Sequence, residues 1–334
     1  MAYDEKILRR SMARYNEDRQ RRAEAFAARQ QQIFREIPRL EEIDRELRGT
    51  MSQIIASALR RGTDPMPALR VIRDQNLDLQ RERSALLMEH GYEPDELEER
   101  PDCILCGDTG FRDGTMCRCL RKYYAREQIR ELSRMLDMGT ASFETFDFDW
   151  YSDEVNANLG ISPRENMEKN FDTCQDYAHQ FGRRSGNLLL SGLPGLGKTF
   201  LSACIARVVS ENGFSVVYDT ATHIFAQFEA AKFRREEDEG AAEDVDRCMN
   251  CDLLIVDDLG TEKGTDFTFT RFFMICNRRM IRKMPMIISS NLDLNELDKL
   301  YTDRIFSRMI STSRVCRLTG PDIRMRKRIE EHCS

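Results

Sequence analysis

No stretch of this 334-residue chain approaches a run of about 18 apolar residues, the length that would mark a membrane-spanning helix. The N-terminal MAYDEKILRRSMARYNEDRQ likewise lacks the apolar centre of an export signal. Both absences point to a cytoplasmic chain with no membrane partner. An excess of positive charge is missing too. The net charge is -6, which excludes a protein that coats nucleic acid through its overall field and leaves only a local basic site open. Internal repeats and low-complexity linkers are absent. Histidine is scarce, with four in the chain, at 90, 179, 223 and 332. Cysteine is not scarce, but eleven is an odd number for a disulfide framework, and in a reducing compartment a tight cysteine cluster more often holds metal.

From Asp4 to about His90 glycine is almost missing, while Ile33, Ile37, Leu40, Leu47, Met51 and Ile54 recur at helical spacing among Arg, Glu and Gln. Pro38 ends or kinks the first helix, 61-RGTDP-65 supplies a turn, and a further helix runs from about Met66 to His90. This arm is expected over 1–100, as a self-contained bundle or a partner-docking module. A cysteine-rich module follows over 101–122, and 123–185 forms a helical linker and the start of the next domain. A helix over Leu120 to Leu136 leads into it, then come the aromatic-acidic 143-FETFDFDWYSD-153 and a helix over 164–181. From 186 to 334 buried strands alternate with helices, which predicts an α/β domain with a parallel sheet. Its strands are expected at Asn187 to Ser191, Ser215 to Asp219, Leu253 to Asp257 and Met286 to Ser290, with a fifth at Arg314 to Leu318. The acidic 234-RREEDEGAAEDVD-246 reads as a solvated helix end or loop.

Within that domain, 192-GLPGLGKT-199 fits G-x-x-x-x-G-K-[ST] between a strand and a helix, the context a phosphate-binding loop requires. Glycine lets backbone N–H groups turn inward on a polyphosphate at a helix N-terminus. The expected cradle for ATP or ADP is Gly192, Leu193, Pro194, Gly195, Leu196, Gly197, Lys198, Thr199 and Phe200. Lys198 supplies charge for the β- and γ-phosphates, and Thr199 offers a hydroxyl to Mg²⁺. The strand in 251-CDLLIVDDLGTEKG-264 ends in two carboxylates. Asp257 is assigned to Mg²⁺ and Asp258 to the general base, with Glu262 the next candidate. Asn291, at the end of 286-MIISSN-291, is placed to orient the attacking water.

These stretches, followed by 303-DRIFSRMI-310 and 319-TGPDIRMRKR-328, resemble the AAA+ ATPases of the DnaC/DnaI/IstB group, and most of all bacterial and phage replicative helicase loaders. The resemblance runs from about Cys103 to the C-terminus and takes in FETFDFDWYSD and the cysteine segment. It implies an AAA+ domain, ATP hydrolysis at subunit interfaces, self-association through the ATP sites, and a hexameric replicative helicase and single-stranded DNA as partners. It also implies that Arg308 is an arginine finger, with Arg304 one turn earlier as competitor or helper, and that Arg324 contacts the nucleotide of its own subunit. Arg326, Lys327 and Arg328 read as a solvated basic tail. Two departures matter. Asp257-Asp258 is one methylene shorter than the usual Asp-Glu, which predicts slow turnover. Only ten residues follow Arg324, which leaves no room for a full C-terminal lid. The alternatives are an IstB-type transposition ATPase acting on duplex DNA and a nucleotide-gated adaptor that hydrolyses little.

In 103-CILCGDTGFRDGTMCRC-119, Cys103, Cys106, Cys117 and Cys119 form CxxC and CxC pairs around tight turns, the pattern of a Zn²⁺ site, and with every histidine elsewhere the site must be four-cysteine. Free or redox-active thiols and an iron–sulfur cluster are the competing uses. The other cysteines, such as Cys204 and Cys276, read as core. In 224-IFAQFEAAKFRRE-236, Phe228, Lys232, Phe233, Arg234 and Arg235 are candidates for single-stranded DNA, against the plainer reading of a core helix.

Overall fold

The computed structural model describes residues 3–58, 66–136, 141–157, 160–182, 184–232, 239–262, 266–301, 303–326 and 328. The chain forms two units, one of residues 13–117 and one of residues 1–12 with 118–334.

Helix α1 (Glu5–Glu36) begins in the larger unit and runs on into the smaller, followed by α2 (Pro38–Ala58) and α3 (Met66–Glu89). Pro38 opens α2, where its missing N–H costs nothing, and the break falls at Ile37 between the two helices. The turn expected at 61-RGTDP-65 lies outside the described residues. Ile33, Ile37 and Leu40 meet Leu87 and Leu97 in a small core. The smaller unit ends in a hairpin of β1 (Phe111–Arg112) and β2 (Thr115–Met116).

The larger unit is built on a five-stranded sheet. Ahead of it come α4 (Arg118–Leu136) and α5 (Pro163–His179), with two short 3₁₀ turns over Phe143–Thr145 and Phe148–Trp150. Helix α5 starts where the sequence says it should. Ser162 and Glu165 close a capping box ahead of Pro163. The strands are β3 (Asn187–Ser191), β4 (Val216–Thr220), β5 (Leu253–Leu259), β6 (Met286–Ser290) and β7 (Ser313–Arg317). They lie in the order β4-β5-β6-β3-β7, all parallel. Each of the five expected strands is present, to within two residues at every end.

A parallel sheet needs cover on both faces. Helices α5 and α6 (Lys198–Glu211) pack over one, on Leu188, Leu190, Ile255 and Ile287. On the other, α7 (Ala221–Lys232), α8 (Glu239–Asn250) and α9 (Asp266–Ile281) pack over Leu189, Leu254, Val256 and Ile288, with α10 (Leu294–Leu300) and α11 (Asp303–Thr312) beyond. Gln128 of α4, 1% exposed, is fixed to the α6 side of the sheet by Ser210 Oγ at 2.7 Å, the Phe214 carbonyl at 3.0 Å and the Val216 N–H at 3.1 Å. The acidic stretch expected to be solvated is helical from Glu239 on. Its helix buries Cys248 and Met249 against the sheet, because Val245, Cys248 and Met249 share one face.

Candidate functional site

Strand β3 delivers the chain to the carboxyl edge of the sheet, where open α/β sheets bind ligands. The loop that follows has glycines that nothing else replaces. Gly195 has φ +75°, and a Cβ there would lie 1.8 Å from Asp322 Oδ1. Gly197 has φ +94°, and its Cβ would lie 2.8 Å from the Tyr151 hydroxyl. Lys198 opens α6 and is 4% exposed, with Nζ donating to the carbonyls of Gly192 at 2.6 Å and Leu193 at 2.8 Å. Burial brings its ammonium down to about 8, against the pull of Asp258 and Asp257.

Asp257 and Asp258 fall at a break in the β5–β6 register between Val256 and Leu259. Such a bulge turns a side chain from its regular direction, and here successive carboxylates serve different neighbours. Asp257, 3% exposed, accepts from the Tyr218 hydroxyl at 2.7 Å and from Ser289 Oγ. Asp258 sits at φ +55°, its N–H donating to Ser289 Oγ at 3.1 Å and its Oδ1 accepting from Asn291 Nδ2 at 3.1 Å. Burial first, and then the adjacent Asp257, hold the Asp258 carboxyl above the usual range. Glu262 is engaged elsewhere, accepting from the Gly260 N–H at 2.8 Å and from the Tyr301 hydroxyl.

Lys198, Asp258 and Asn291 line a cavity of about 530 Å³, within the range of small-molecule sites, whereas Asp257 is not among its lining residues. Pro194 through Phe200 form its floor, Asp258 and Asn291 one side, and Ile323 with Arg324 another. The remaining wall was not assigned a role from sequence: Thr145, Phe146, Asp147, Trp150 and Tyr151, from FETFDFDWYSD. Tyr151 donates to the Leu196 carbonyl at 3.0 Å, which fixes this wall to the loop. Gly192 and Leu193 lie on the far side of the loop, lining a neighbouring groove. The Ile323 N–H donates to the Gly195 carbonyl at 3.1 Å, and Arg326 Nη1 to the Trp150 carbonyl at 2.8 Å. Arg326 is therefore not part of a solvated tail; Lys327 lies outside the described residues and Arg328 is exposed.

Arg308 lies off this cavity on α11. It is exposed, donates to Asn277 Oδ1 and has its guanidinium carbon 5.4 Å from the centre of the Phe273 ring. Arg304 is on the same helix, its side chain outside the description. Lys232 ends α7 with its side chain likewise not described, and Phe233, Arg234 and Arg235 lie outside the described residues. Phe228 is 5% exposed in the core between α7 and the sheet, so burial removes it from the DNA-stacking candidates.

The sulfurs of Cys103, Cys106, Cys117 and Cys119 all lie within 4.8 Å of one another. Those of Cys103 and Cys117 are 3.7 Å apart. A tetrahedron with metal–sulfur bonds of about 2.3 Å separates its sulfurs by about 3.8 Å, so the donor set fits Zn²⁺. Asp108 shapes the first turn, accepting from the N–H groups of Asp102 at 3.0 Å and Cys103 at 2.9 Å. Cys204 and Cys276 are buried in the core, as expected.

Phosphate-binding loop, paired carboxylates and parallel sheet define a P-loop nucleotide-binding domain. Residues 167–331 match the family described as IstB-like ATP binding protein. The chain carries an AAA+ ATP-binding domain of the IstB/DnaC kind. It is similar to the replicative helicase loader DnaC of Buchnera aphidicola, 27% identical over 145 residues (43% of this chain, 58% of the relative). The Escherichia coli K12 protein of the same name is 28% identical over 138 residues (41% and 55%). The chain thus spans little more than half the length of these relatives. The phage-like element PBSX protein XkdC of Bacillus subtilis is 25% identical over 241 residues, 67% of this chain and 84% of that one. Among solved structures, a DnaC helicase loader aligns with TM-score 0.43 and 18% identity over 54% of this chain and 97% of its own.

Proposed function

We propose that the chain is an ATP-dependent loader of a replicative DNA helicase, a slow ATPase whose sites are completed between copies. The observation that carries this reading is the convergence of Lys198, Asp258, Asn291 and Arg324 on one cavity of nucleotide size, in a domain similar to proteins named as helicase loaders. Lys198 exchanges two backbone carbonyls for phosphate oxygens. Asp258, held in place by Asn291, accepts a proton from the attacking water, and its raised proton affinity suits a base. Thr199 and Asp257 would hold Mg²⁺, which would supply positive charge against the phosphates. Phe146, Trp150 and Tyr151 offer an aromatic wall to the base. Arg324 serves its own nucleotide, and Arg308, with Arg304 beside it, serves that of a neighbouring copy.

The helical unit is assigned to the helicase, Lys232 and Phe233 to single-stranded DNA, and the four cysteines to a Zn²⁺ that folds a segment too small for a core. The IstB-like family match favours a second reading, a transposition accessory ATPase on duplex DNA. Capture from the source cell with the whole chain as bait, alongside single-turnover hydrolysis on each DNA form, separates the two. Recovery of a hexameric helicase and stimulation by single strands are expected. Stimulation by duplex alone, without helicase, selects the second reading. A Lys198→Ala variant should fold and lose ATP binding; unchanged affinity would sink the nucleotide site itself.

A further inference from the structure

Tyr218 belongs neither to the loop nor to the acidic pair, yet its hydroxyl reaches Asp257. On β4 it stands opposite Ile255, two residues before Asp257 on β5, and diagonal neighbours of this kind lie about 7–8 Å apart, within reach of an aromatic side chain. The ring is 4% exposed and its hydroxyl donates to Asp257 Oδ2 at 2.7 Å. A phenol has one proton to give, and Asp257 receives it. The other oxygen of Asp257 is taken by Ser289 of β6, so both strands flanking β5 hold this carboxylate.

We infer that Tyr218 is a positioning residue for the divalent cation of the nucleotide site, orienting Asp257. The inference rests on the nucleotide reading above. With one donor on each oxygen, Tyr218 and Ser289 fix the carboxylate and leave its remaining lone pairs for a cation. Outer hydrogen bonds of this type set ligand orientation, and their loss costs about 10–100-fold in metal affinity. A purely structural tyrosine would fill the space and need no bond to the carboxylate.

The test is a titration of a fluorescent ATP analogue, with EDTA and across a Mg²⁺ series, on wild type and Tyr218→Phe. The substitution keeps the ring and removes only the hydroxyl. Metal-free nucleotide affinity should stay within about twofold, while the Mg²⁺ concentration for half-saturation rises about 10-fold or more. Tyr218→Met, adaptable in shape and also without a hydroxyl, should show the same split and serves if the phenylalanine variant does not fold. Unchanged Mg²⁺ dependence in a folded variant overturns the inference, as does equal weakening with and without metal, which would mark a packing role. Failure of the wild type to bind nucleotide in either condition overturns the nucleotide reading as well, whereas normal nucleotide binding with unaltered metal dependence removes this inference alone.

Discussion

Lys198 carries its own consequence for pH. In the empty site burial holds its ammonium at about 8, so that above this pH the site loses its charge before nucleotide arrives. A bound polyphosphate favours the charged form and raises the group again, so binding takes up a proton. Affinity is therefore full below about pH 8 and falls above it, by up to about tenfold per pH unit for a single linked proton. Calorimetry in buffers of different ionisation enthalpy should report proton uptake at pH 9 and little at pH 7. Lys198→Arg, charged throughout, should bind with no such dependence; equal proton uptake in that variant would exclude Lys198 as the source. Asp258 gives residue scale a second lesson. Its φ of +55° is a left-handed conformation in which Asp and Asn are enriched among residues that carry a Cβ. The sequence displayed the two carboxylates but not the bulge that turns them to different neighbours. Arg279 was not singled out from sequence. It is one of a basic pair at the end of α9, yet it is fully buried and donates to the carbonyls of Cys248, Cys251 and Pro285 at 2.8–3.0 Å. Its charge hides it, although its helical spacing from Phe272, Ile275 and Cys276 puts it on the buried face that Arg278 misses.

At the scale of elements, strands and long helices were readable because a parallel sheet buried on both faces leaves continuous apolar runs, and because Ser162, Glu165 and Pro163 announce a helix start. What was not readable is how two irregular segments, 145–151 and 318–326, come together over the loop. Their meeting depends on contacts across more than 170 residues of chain, which have no period to detect. Arg326 joins them through the Trp150 carbonyl, and the consequence is that both segments wall the cavity together. Arg326→Ala should leave the fold intact and speed nucleotide release about tenfold, the equivalent of about 1.4 kcal/mol and of the order of one charge-assisted hydrogen bond. Trp150 is the only tryptophan in the chain and lines the cavity, so its emission reports both occupancy and release in stopped flow. Arg326→Lys, which keeps a donor, should recover part of the loss. Release at the wild-type rate from the alanine variant would mean that the two segments hold the nucleotide independently.

The whole molecule raises the question of where Arg308 acts. Its guanidinium is on the exposed side of α11, fixed by Asn277 and the Phe273 face, and it is not among the residues lining the cavity of its own chain. A group so placed can reach a γ-phosphate only if that phosphate belongs to another copy, and a delocalised cation suits the charge spread over transferring phosphoryl oxygens. On the proposed function, heterologous contact between copies would make each site a product of two chains. Arg308→Ala should bind ATP with wild-type affinity and fail to hydrolyse it, whereas Lys198→Ala should fail to bind. Mixed, the two variants should regain activity, since an interface pairing the intact loop of one with the intact arginine of the other restores a complete site. Arginine fingers contribute about 10³-fold or more in related reactions, so the mixture should stand well clear of either variant alone. Hydrolysis by Arg308→Ala at the wild-type rate would remove the assignment, and a defect confined to Arg304→Ala would transfer it one turn along the helix. A loss in Arg308→Ala that mixing does not relieve would place the arginine's effect within its own chain, through the α9 surface it rests on.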